Sequence, residues 1–290
     1  MLKKRLIATL IVRNGIIVQS VGFRKYLPVG KPEIAVEFLN SWGIDEIVLL
    51  DITASNEKTG PNFAIMDNVT RSCFVPLTIG GGITSVGQIQ RFLNLGADKV
   101  CINSAALEKP EFVTEAANVF GNQCIIVSID VIGASVADYK VFDAYRGCAM
   151  RMGPIDWARE VESMGAGEIY LTSVNRDGSK AGYDLDLIEP VVQSVDIPVI
   201  ASGGAGHPGH VLEVFKKTNA SAVSAANFFH FSEHSVITTK ALLRDAFHGI
   251  RLNTHADYEG CSFDPGYRLK KRSDDYLEDL LYERIEAEVI

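Results

Sequence analysis

The sequence predicts a single (β/α)8 barrel built from two half-barrel repeats and followed by a C-terminal extension. Three observations carry this. Short runs of branched apolar residues alternate eight times with longer amphipathic stretches, the rhythm of a parallel sheet covered on both faces. The first run, Arg5 to Val12, recurs at Cys124 to Val131, with Ile7-Ala8-Thr9-Leu10-Ile11-Val12 lying on Ile126-Val127-Ser128-Ile129-Asp130-Val131. Further along, Pro76 falls on Pro198 and Gly81-Gly82 on Gly203-Gly204, so the second half repeats the first. The 290 residues accommodate one barrel of about 250 residues, placed at 1–252, and an extension at 253–290.

Taken in order, Arg5 to Val12 is the first strand and Gly15 to Gly22 a hairpin arm. Lys31-Pro32 opens a helix to Trp42, with Ile34, Phe38 and Leu39 expected on its buried face. Strand Glu46 to Asp51 leaves into a polar loop, Asn56 to Gly60, before a helix carrying Phe63, Met66 and Val69. Strand Val75 to Ile79 ends in Gly80-Gly81-Gly82, and Thr84-Ser85 cap a helix to Leu95. Strand Asp98 to Ile102 exits through a loop, Asn103 to Ala106, ahead of a helix from Pro110 to Phe120. The second half follows with strands at Gln123–Asp130, Glu168–Ser173, Pro198–Ala201 and Ala222–Ala225. Its helices fall near Pro154–Met164, Leu185–Val192, Val211–Lys216 and Ser232–Phe247. Beyond Asn253 the chain is polar and turn-rich until Ser273-Asp274-Asp275 caps a charged helix, Tyr276 to Val289. Its Leu277, Leu280, Leu281, Ile285 and Val289 make one narrow apolar stripe.

A 47% apolar composition suits a large core, and a formal charge of −8 argues against a nucleic-acid partner. No apolar run approaches the roughly 20 residues needed to span a bilayer, and the N-terminus leads into a strand rather than a secretory signal. The five cysteines are scattered, without a Cys-x-x-Cys, as expected in a reducing compartment; no disulfide, metal or cofactor is implied. A cytoplasmic protein is expected.

In such a barrel the site lies at the C-terminal ends of the strands. Two glycine-rich exits occupy equivalent positions there: Gly80-Gly81-Gly82 beside Asn103-Ser104, and Gly203-Gly204 beside Ala226-Asn227. Glycines let main-chain N–H groups close on phosphate oxygens, so Gly81, Gly82, Asn103, Ser104 and Gly203, Gly204, Ala226, Asn227 are candidate phosphate ligands. Two such pockets across one mouth suggest a small molecule with a phosphate at each end.

Leu49-Leu50-Asp51-Ile52-Thr53-Ala54-Ser55, Gly80-Gly81-Gly82-Ile83, Gly96-Ala97-Asp98-Lys99-Val100, Gly165-Ala166-Gly167-Glu168-Ile169, Arg176-Asp177-Gly178 and Ala201-Ser202-Gly203-Gly204-Ala205-Gly206 together resemble one family. It is the cyclase subunit of imidazole glycerol phosphate synthase, of histidine biosynthesis, and the resemblance covers about Met1 to Leu252. It implies a glutaminase subunit docked at the barrel bottom, ammonia passing up the interior, and two aspartates acting as acid and base at the top. The family's charged gate falls on Arg5, Glu46, Lys99 and Glu168, each at the start of an expected strand, where two cations and two carboxylates balance. Asp98 matches a position used against the glutaminase.

The chemical half departs from the family. Asp130 is present, but its partner position is Ile11, which cannot move a proton. The first-loop lysine aligns with Gln19, the acid before Arg176-Asp177-Gly178 with Asn175, and the serine of the second phosphate site with Asn227. Three readings stay open. One is a divergent paralogue of the surface-polysaccharide type, passing ammonia to a third protein that amidinates a nucleotide sugar. Another is a cyclase in which Asp51 or Asp177 replaces the missing aspartate. The last is a non-catalytic phosphate-binding scaffold.

Overall fold

Eight parallel strands close into a barrel: β1 (Arg5–Arg13), β2 (Glu46–Asp51), β3 (Leu77–Gly80), β4 (Lys99–Ile102), β5 (Ile125–Ile132), β6 (Glu168–Ser173), β7 (Val199–Ser202) and β8 (Ala222–Ala225). Each pairs with the next, β8 pairs with β1 through Arg5↔Ala222, and Thr172↔Asp130 belongs to the β5–β6 seam. The computed structural model describes residues 3–57, 60–230, 234–254, 256–271, 273 and 275.

A barrel helix follows each strand: α1 (Pro32–Ser41), α2 (Phe63–Ser72), α3 (Val86–Asn94), α4 (Glu111–Phe120), α5 (Pro154–Ser163), α6 (Leu185–Ser194), α7 (Pro208–Lys217) and α8 (Ser235–Ala246). Strand alternation then divides the apolar residues. One set, with Leu6, Leu10, Leu49, Ile79 and Trp157, packs strands against helices, while Ile7, Val48, Cys101, Ile126, Tyr170, Ile200 and Ala222 fill the lumen.

Local structure differs from the sequence expectation in three places. Ile34 and Phe38 are 50% and 55% exposed; the buried arc of α1 is Pro32, Val36, Leu39 and Asn40. The exit of β2 coils at once into a short helix, Ile52–Glu57, because Asp51 Oδ1 accepts the N–H groups of Thr53 at 2.9 Å and Ala54 at 3.3 Å. The exit of β4 is likewise helical at Ser104–Glu108.

Two antiparallel strands, Ile16–Val21 and Lys25–Gly30, rise from the end of β1, where Ile11 pairs with Val18. At the other end of the molecule, Lys4 bridges Ile250 beside the foot of β1. Tyr258 packs under the barrel near Lys240, whose fully buried ammonium donates to Asp45 Oδ1 and to the Gly43 carbonyl, both at 2.7 Å. From there the extension climbs the outside. Tyr267 stacks on His207 with ring centres 5.7 Å apart and lies over Gly209, at the mouth end of α7. The amphipathic helix expected at Tyr276 to Val289 lies outside the described residues.

Candidate functional site

Arg5, Glu46, Lys99 and Glu168 each open a strand, and the inward side of that first position brings all four together at the barrel floor. Arg5 Nη1 donates to Glu46 Oε1 at 2.8 Å and Arg5 Nη2 to Glu168 Oε1; Lys99 Nζ reaches Glu168 Oε2 at 2.9 Å and Glu46 Oε2 at 3.7 Å. The four charges alternate in a closed ring. Burial opposes the charge on Arg5, but Glu168 and Glu46 outweigh it and hold the guanidinium above its ordinary range. Asp98 is exposed nearby, and its Oδ2 accepts the Leu77 N–H at 2.8 Å at the foot of β3.

Above the ring the lumen is apolar, and then four hydroxyls meet. Thr9 Oγ1 lies 2.7 Å from both Tyr170 OH and Ser224 Oγ, and Tyr170 OH is 3.0 Å from Ser202 Oγ and 3.1 Å from Ser224 Oγ. Burial raises the Tyr170 pKa, so the ring stays neutral and its hydroxyl stays a donor. This cluster escapes the sequence reading. Its only signal is that Tyr170 sits two residues past Glu168 and two before Thr172, on the inward side of β6.

At the mouth, Asp130 is buried and accepts from Asn103 Nδ2 at 2.7 Å. Burial pushes its carboxyl up to about 7, helped by the charge of Asp177 and opposed by hydrogen bonds from Asn103, Thr172 and Ser128. A carboxyl titrating there can give or take a proton at neutral pH. Ile11, on the inward side of β1, is 9% exposed and brings no second acid.

The other candidate carboxylates have structural partners. Strand alternation turns Asp51 away from the lumen, and its Oδ1 caps the following short helix. Asp177 Oδ2 accepts from Ser20 Oγ at 2.7 Å and from the Phe23 N–H at 3.3 Å, and its carbonyl accepts the Gly22 N–H at 3.1 Å. Asp177 therefore fastens the hairpin over the mouth, while burial raises its pKa against the Ser20 hydrogen bond. Asn175 Oδ1 accepts the Gly133 N–H at 3.1 Å, tying the exits of β5 and β6.

Both glycine-rich exits are at the mouth, and their first reason is steric. A Cβ on Gly81 would stand 2.1 Å from the Asp51 carbonyl oxygen, and one on Gly204 2.1 Å from that of Gly182, at φ of +112° and +109°. Gly82 and Gly203 share the left-handed region, and Ser104 heads the short helix after β4, next to the β3 exit that carries Gly82. Asn103 spends its side chain on Asp130. Asn227 departs from the expectation of an open ligand. Its Oδ1 accepts the Ser20 N–H at 3.0 Å and its Nδ2 donates to the Ser20 carbonyl, so the amide is engaged with the hairpin, beside half-buried Ala226. Nothing local in the sequence marks Ser20, because its partners lie on β6 and β8 exits far along the chain. Among the described residues no three His, Cys, Asp or Glu side chains are grouped to hold a metal ion, and no helix is long and apolar enough to cross a membrane.

Comparison with known proteins fits this geometry. The sequence profile described as "Histidine biosynthesis protein" matches residues 5–235. A Vibrio vulnificus (strain YJ016) protein, provisionally named imidazole glycerol phosphate synthase subunit hisF2, is 44% identical over 264 residues, 91% of this chain and 97% of its own. Subunit HisF of Bacillus cereus (strain G9842) is 45% identical over 252 residues, covering 87% of this chain and all of its own. That of Streptococcus sanguinis (strain SK36) is 40% identical over the same length. The chain belongs to the histidine biosynthesis protein family, as a cyclase-like subunit of the imidazole glycerol phosphate synthase type.

Proposed function

We propose that this chain conducts ammonia within a glutamine amidotransferase complex. A glutaminase subunit docks at the barrel floor, around the exposed Asp98, and releases ammonia beneath the charged ring. The gas, small and neutral, crosses the apolar lumen and the hydroxyls of Thr9, Tyr170, Ser202 and Ser224 to the mouth. There a third protein uses it to amidinate a nucleotide-activated sugar, with a phosphate of a small molecule held at the glycine-rich exits. The observation that carries the reading is the contrast between the two ends: a complete ring of Arg5, Glu46, Lys99 and Glu168 below, and Ile11 facing Asp130 above. A family member kept for transport retains the first and loses the second.

A genuine cyclase is the second reading, favoured by Asp130, whose carboxyl titrates near 7 against Asn103. The deciding experiment gives the purified chain the ribulosyl bisphosphate intermediate and excess ammonium salt, so that no glutaminase is needed. One missing acid–base group lowers turnover about 10²–10⁴-fold relative to an ordinary cyclase, and Ile11→Asp with Gln19→Lys raises it. Turnover at the ordinary rate would refute the conduit reading. A scaffold that binds phosphate without conducting is separated by Lys99→Ala, which uncouples glutamine hydrolysis from amidination only if the ring is a gate.

A further inference from the structure

The extension carries a turn that presents one ring. Lys270 N–H donates to the Ser262 carbonyl at 2.8 Å, Phe263 bridges Leu269 antiparallel, and Asp264 N–H donates to the Arg268 carbonyl at 2.9 Å. Inside these rungs Asp264 Oδ1 accepts the N–H groups of Gly266 at 2.8 Å and Arg268 at 2.9 Å. At the tip Tyr267 has a φ of +59°, an uncommon conformation for a residue with a side chain, held here by the turn.

The ring lands on the head of α7. It stacks on His207, at the N-cap of that helix, with ring centres 5.7 Å apart. It covers Gly209 so closely that a Cβ there would stand 2.3 Å from it. His207 lies in turn against His210, with ring centres 3.6 Å apart. His210 Nδ1 accepts the Gly206 N–H at 3.1 Å, and the His210 ring lies beside Gly182, where a Cβ would meet it at 3.4 Å. Gly182 N–H donates to the Gly204 carbonyl at 2.9 Å. Contacts therefore run without a break from Tyr267 to Gly204 and Gly206, within the second glycine-rich exit. The first exit is braced from the barrel itself, by Asp51 against Gly81 and Ala54 against Gly82.

We propose that Tyr267 is a positioning residue: through His207 and His210 it holds the exit at 203–206 in the shape whose main-chain N–H groups converge on a phosphate. Glycine loses more conformational freedom on ordering than any other residue, so an unbraced exit spreads over shapes that do not bind. Bracing it before the ligand arrives removes that ordering cost from the affinity. The inference rests on the reading of the two exits as phosphate sites, and concerns the second alone.

Inorganic phosphate titrated into the full chain, with its glycines isotope-labelled for amide NMR, tests it. Gly81 and Gly82 report one exit, Gly203 and Gly204 the other. The wild type is expected to show phosphate-dependent shifts at both. Tyr267→Ala raises the Kd read at Gly203 and Gly204 about tenfold and leaves that at Gly81 and Gly82 unchanged. Gly209→Ala, a change that by itself favours a helix, unseats the ring and has the same effect. Both act through one contact, so the double variant binds no more weakly than either single variant. Tyr267→Phe keeps the ring and restores the wild-type Kd. An equal Kd at Gly203 and Gly204 in the wild type and Tyr267→Ala overturns the proposal and leaves the phosphate reading standing. Equal weakening at both exits also overturns it, since that marks a general loosening of the fold. A wild type with no shift at Gly203 and Gly204 refutes the phosphate reading of that exit, and the proposal falls with it.

Discussion

With burial dominating its surroundings, the Asp130 carboxyl holds its proton to about pH 7, whereas an unfolded aspartate releases it near 4. Between those values the folded state binds more protons than the unfolded state, so stability falls as pH rises through this window and stays low above it. Asp130→Asn removes that loss while keeping the shape. The variant is expected to be more stable than the wild type at pH 8 by on the order of 2–4 kcal/mol, and so to melt at a higher temperature, with the gap closing toward pH 4. Thermal denaturation followed by circular dichroism at pH 4, 6 and 8 measures it. A gap that stayed constant with pH would mean that Asp130 is ionised throughout. A catalytic carboxyl is stabilised at the expense of the fold in this way, and the slope would show that the site still bears that strain with Ile11 opposite.

At the scale of elements, the hairpin is the part held across the mouth by loops from two other strand exits. Asn227 makes two hydrogen bonds to the main chain of Ser20, and Asp177 adds the Ser20 hydroxyl. Asn227→Ala removes the pair, and about 1–2 kcal/mol of local closure should go with it. Tryptic cleavage after Arg24 or Lys25 should then quicken about 5–30-fold, with little change in melting temperature, since the hairpin opens without the barrel. Unchanged cleavage would show that the hairpin is held elsewhere. These bonds also mark the limit of what the sequence makes legible. The eight strands and helices are readable because periodicity and glycine signals are local, and the grouping of Arg5, Glu46, Lys99 and Glu168 is readable because the family resemblance points to them and each opens a strand. The use made of Asp51, Asp177 and Asn227 is not, since it depends on which loops meet. Phe38 misleads for a related reason: an apolar residue reads as core until Val36 and Leu39 claim the buried arc of α1.

For the whole molecule, the lumen joins two charged ends through an apolar middle. Lys99→Met leaves Glu46 and Glu168 sharing Arg5 alone, on a floor where their side chains are 8% and 5% exposed. An ion pair on a nearly buried floor loses one partner, so the loss of stability should reach about 3–5 kcal/mol. The penalty is felt by the entire fold, because the ring ties β1, β2, β4 and β6 together. Its sign is opposite to that of Asp130→Asn, and the two sites are well separated. Glu168 and Thr172, the partner of Asp130 across the seam, are four residues apart on β6, about 13 Å along the strand. Sites that far apart with no shared partner add within about 0.5 kcal/mol. The double variant is therefore expected to melt at the sum of the two single shifts at each pH. A larger discrepancy would mean that the floor and the mouth communicate, with the hydroxyls of Thr9, Tyr170, Ser202 and Ser224 as the contact between them. Tyr170→Phe in the same background then decides the matter, since it breaks that cluster without emptying the lumen.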